Sequence, residues 1–141
     1  MKGVFGELYK LKGITIDETL RHEKLLKNPF TAIFSLSTAP SVWNNQNEFN
    51  EIFLRCHERY FNDLLNVQGY VFLNEVLENL GMKRTKIGQL YGWTLKNSDY
   101  ISFGYIDEFI KFYENHLKTD KMDSIQLHFN CELEPIIDAI F

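Results

Sequence analysis

Residues 47–65, NEFNEIFLRCHERYFNDLL, decide how this chain is read. Phe49, Ile52, Phe53, Cys56, Tyr60, Phe61 and Leu64 recur at spacings of three and four, whereas Glu48, Glu51, Arg55, Arg59 and Asn62 fall mostly opposite. That pattern predicts an amphipathic helix with the apolar stripe in the core and the charges in water. Glu51 stands four residues before Arg55, the order that favours an exposed ion pair worth about 0.3–0.5 kcal/mol.

Immediately downstream, Gly69 interrupts the helical pattern and residues 70–72 read as a short strand. Asn74 is placed to cap a brief helix whose Val76, Leu77 and Leu80 point inward, and Gly81 to end it in the left-handed conformation. Upstream, Thr15 and Glu18 form a capping box opening a helix to about Lys27, where Asn28-Pro29 stops it. Residues 30–37 then alternate as a strand, with Phe30, Ala32, Phe34 and Leu36 on one side. Farther along, strands at 90–95 and 100–103 around a turn at 96–99 suggest a hairpin. Ile106, Phe109, Ile110, Tyr113 and Leu117 make a second helical stripe, supported by Glu114 and Lys118 at four-residue spacing. A strand at 124–129 buries Ile125, Leu127 and Phe129, and the end of the chain from Pro135 reads as a short helix or docked terminus. The sum is an α+β fold: one compact domain over 1–141, with a small, mainly antiparallel sheet packed against two or three amphipathic helices.

Composition agrees with one folded unit. At 141 residues, 45% hydrophobic and 15% aromatic, the chain can bury a core without a disulfide or metal staple. Fifteen basic against nineteen acidic residues give a net charge of −4, which argues against wrapping nucleic acid. Cys56 and Cys131 are too few for a disulfide framework and read as reduced, buried thiols. No apolar run is long enough for a membrane span, so the expected address is the cytoplasm of a bacterial cell. Association with a virion fits the same sequence.

No complete catalytic, metal or nucleotide motif is present. His128 and Cys131 are spaced as two zinc ligands, but His22, His57 and His116 form no second pair. No metal and no cofactor are therefore expected. Cysteine chemistry at Cys56 or Cys131, or paired acids at Asp107 with Glu108 and Glu132 with Glu134, would need a fold to assemble them. The best anion or partner contact is the turn of Lys83, Arg84 and Lys86, with Tyr91 and Trp93 beyond it as stacking surfaces. Glu48, Glu51, Glu58, Glu75 and Glu78 offer an alternative acidic surface.

Four motifs after residue 47 also carry a resemblance. Residues 69–75, GYVFLNE, are followed by Leu80-Gly81, then by 88–93, GQLYGW, by 100–104, YISFG, and by 125–130, IQLHFN. In this order they resemble a family of uncharacterised proteins of phages and prophages of Gram-positive bacteria, over about residues 47–141. Members often carry an apolar segment ahead of the module, which residues 1–46 here replace with a soluble, mixed-sign stretch. The resemblance implies a phage setting and supplies no activity. The expected function is a non-enzymatic accessory protein working by protein contact, with itself or a host protein. An acidic inhibitor of a host defence or nucleic-acid-binding protein and a small hydrolase are the alternatives.

Overall fold

The computed structural model describes residues 30–140, and the helix expected at 15–27 lies outside them. In chain order the elements are β1 (Thr31–Ser35), α1 (Asn47–Gln68), β2 (Tyr70–Phe72), α2 (Leu73–Asn79), β3 (Gly92–Thr94), α3 (Ile106–Asn115), β4 (Ser124–His128) and α4 (Ile137–Ile140). The fold is α+β, and its sheet structure is two antiparallel pairs. β1 pairs with β4, setting Phe34 opposite Ile125 and Ala32 opposite Leu127. β2 pairs with β3, setting Val71 opposite Trp93. The first pair joins strands 89 residues apart at Ser35 and Ser124, so residues 31–35 share a sheet with the C-terminal part.

The period-two reading of β4 holds because one face is covered: Ile125 and Leu127 are buried and Gln126 is exposed. The glycine signals hold too. Gly69 and Gly81 adopt φ of +91° and +81°, the left-handed region that a side chain disfavours, and each ends a helix there.

Other expectations need correction. α2 begins at Leu73, and it is Glu75 that serves its start by accepting from Phe72 N at 2.9 Å. Asn74 is buried and points elsewhere: it accepts from Thr85 N at 2.8 Å and donates to Thr85 O at 2.9 Å. The hairpin does not form, since β3 pairs backward with β2 and residues 100–103 belong to no strand. Their peptides are held by side chains instead. Asn62 of α1 accepts from Ile101 N at 2.8 Å and donates to Ile101 O at 2.9 Å, Glu58 accepts from Phe103 N at 2.8 Å, and Asn130 accepts from Ser102 N at 2.7 Å. A buried peptide needs such partners, and a carboxamide supplies a donor and an acceptor together.

The largest correction concerns α1. It inserts Asn47, Asn50, Leu54, Phe61 and Leu65 into the core, so that of the expected stripe Phe61 is buried while Phe49, Ile52, Cys56 and Tyr60 are not. Asn47 joins α1 to the segment before β4 by donating to Tyr113 Oη and Asp120 O and accepting from Met122 N, all at 2.8–3.0 Å. Asn50, wholly buried, closes a second clip on Asn44 N and O. The two amides are satisfied, so burying them costs little, and they fix how α1 rolls against its neighbours. Phe53 and Leu64 remain half-buried at the edge, and Phe53 stacks on Phe34 at 5.7 Å. Neither the Glu51–Arg55 nor the Glu114–Lys118 pair closes among the described residues, where Arg84 pairs with Glu78. Lys118 in fact lies past the end of α3.

Candidate interaction surface

The residues singled out at 83–93 do not converge. Lys83 edges a hollow of about 360 Å³ between residues 31–38 on one side and Leu73, Leu77, Met82 and Phe129 on the other. Arg84 turns to a different hollow and pairs with Glu78 at 3.0 Å. Lys86 is exposed on the turn leading into residues 87–89. The backbone amides that would cradle an anion are engaged: Thr85 N donates to Asn74 and Gly88 N to Thr85 Oγ1 at 2.9 Å. Trp93 is fully buried and its indole donates to Asn130 Oδ1 at 2.8 Å, which removes it as a stacking surface. Tyr91 packs half-buried beside Phe30, with ring centres 5.2 Å apart.

The acids are similarly divided. Glu48 and Glu51 border a groove against α3, Glu58 sits in a second hollow under residues 100–107, and Glu75 in a third beside Arg84. Burial pushes the Glu58 carboxyl above its usual range, partly offset by the bond from Phe103 N. Glu132 shows the reverse. Burial alone would raise it, but hydrogen bonds from Ser98, Thr94 and Asn97 hold it below the usual carboxylate range.

The histidines and thiols stay apart. His57 on α1 and His116 just past α3 donate to the carbonyls of Phe53 and Phe112 and lie against those same rings. His128 Nε2 lies 3.9 Å from Glu108. Cys131 is buried, and desolvation pushes its thiol far above the usual range, which makes it a poor nucleophile. Cys56, expected inside, is exposed. Among the described residues no three His, Cys, Asp or Glu side chains are grouped to hold a metal ion.

What the fold does assemble is an apolar surface. With asparagines on the inner side of α1, its outer side carries Phe49, Ile52, Cys56 and Tyr60, at 100° per residue an arc of about 80°. Phe49 and Tyr60 are each 53% exposed and Ile52 45%. Val67 extends the same side by two turns. The inner residues centre about 140° away round the helix. α3 repeats the arrangement: Phe109 is buried, while Ile106 and Ile110 of its expected core stripe face solvent, as does Leu117 beyond its end. Between α1 and α3 runs a groove of about 830 Å³ with Ile106, Phe109, Ile110 and Tyr113 along it and Glu48, Glu51, Glu114 and Lys118 at its sides. The signal that could have located this face was the pair Asn47 and Asn50 at helical spacing, which competes with the aromatic stripe for the inside.

The fold and this surface define a small α+β protein whose longest helix turns aromatic and aliphatic side chains outward. The chain belongs to DUF6353, a family of unknown function whose model matches residues 15–140. That span begins well before residue 47, from which the sequence resemblance was drawn. No curated protein and no solved structure matches the chain. Among the described residues no helix is long and apolar enough to cross a membrane.

Proposed function

We propose that this protein works by protein contact through the outer face of α1, as a non-enzymatic accessory protein. The observation that carries the reading is the exposure of Phe49, Ile52 and Tyr60 on one side of a helix whose other side buries amides. Aromatic side chains supply contact area at small entropic cost, and a contiguous apolar patch on a folded surface marks an interaction site. The phage or prophage setting, and with it the bacterial cytoplasm, rests on the motif resemblance.

The test is a photo-crosslinking amino acid at Tyr60 in the full chain, with Gln126 on the exposed side of β4 as the control position. The reading expects an adduct of one defined mass from position 60, suppressed by excess unlabelled wild-type chain but not by the Ile52→Glu chain. Equal labelling from both positions, or none, sinks it.

A further inference from the structure

We draw no further inference here: the strongest candidate, the apolar groove between α1 and α3, has Glu48, Glu51 and Glu114 but also Lys118 along its sides, and nothing in the structure shows what covers it.

Discussion

Between residues 83 and 93 the chain carries cations and rings that read as a contact surface, and between 49 and 60 it carries aromatics that read as core. In the folded protein the two regions trade places. Arg84 is taken by Glu78, the turn amides by Asn74 and Thr85, and Trp93 by the core. Phe49, Ile52 and Tyr60 meet solvent. The difference lies in who supplies the partners. A polar group is committed to structure once the fold brings a matching donor or acceptor to it, and an apolar group is left outside when a satisfied amide takes its place within.

The sharpest attack on this contrast is Trp93→Ala. If Trp93 is core, removing it should cost about 3–5 kcal/mol of unfolding free energy, read by urea denaturation. A loss below about 1 kcal/mol would return Trp93 to the surface role suggested by sequence.

A smaller effect is expected beside it at Glu132, whose carboxylate accepts from Thr94 N, Thr94 Oγ1 and Ser98 Oγ. Its pKa is lowered in the folded chain, so its contribution is present above the unfolded carboxylate value and disappears as pH falls through the folded one. Glu132→Gln should therefore cost about 1 kcal/mol at neutral pH and converge on the wild type in acid. Glu58 has the opposite sign. Because burial raises its pKa, the ionised form is penalised by folding, and Glu58→Gln should lose less at neutral pH than Glu132→Gln does. Stability curves at pH 7 and pH 4 compare the two, and a larger neutral-pH loss for Glu58→Gln would reverse the assignment.

The smallest effect belongs to the outer helix face. Ile52→Glu should change the stability of the folded chain by less than about 0.5 kcal/mol, measured by urea denaturation. A cost of about 2 kcal/mol would mean that the chain itself covers this residue, and the contrast between the regions would narrow.

Patterns that depend on neighbours in sequence were legible. The alternation in β4, the extent of α1 to within a few residues, and the glycines that end α1 and α2 each follow from backbone sterics or from one covered face. The hairpin was not legible, because residues 100–103 alternate like a strand while Asn62, Glu58 and Asn130 hold their peptides. Nor was the candidate surface. Ranking side chains by hydrophobicity put Phe49, Ile52 and Cys56 inside and gave Asn47 and Asn50 no claim to the interior.

Sequence alone thus determined that this is an α+β protein, where α1 runs, and that β4 has one covered side, since propensity and periodicity act over a few residues. Tertiary structure decided how α1 is rotated and which side chains it turns to solvent. The amide of Asn47 finds its bonds on Tyr113, Asp120 and Met122 only after the chain has closed, while that of Asn50 is satisfied locally by Asn44. A satisfied buried amide is a property of the assembled contacts, and residue type does not announce it.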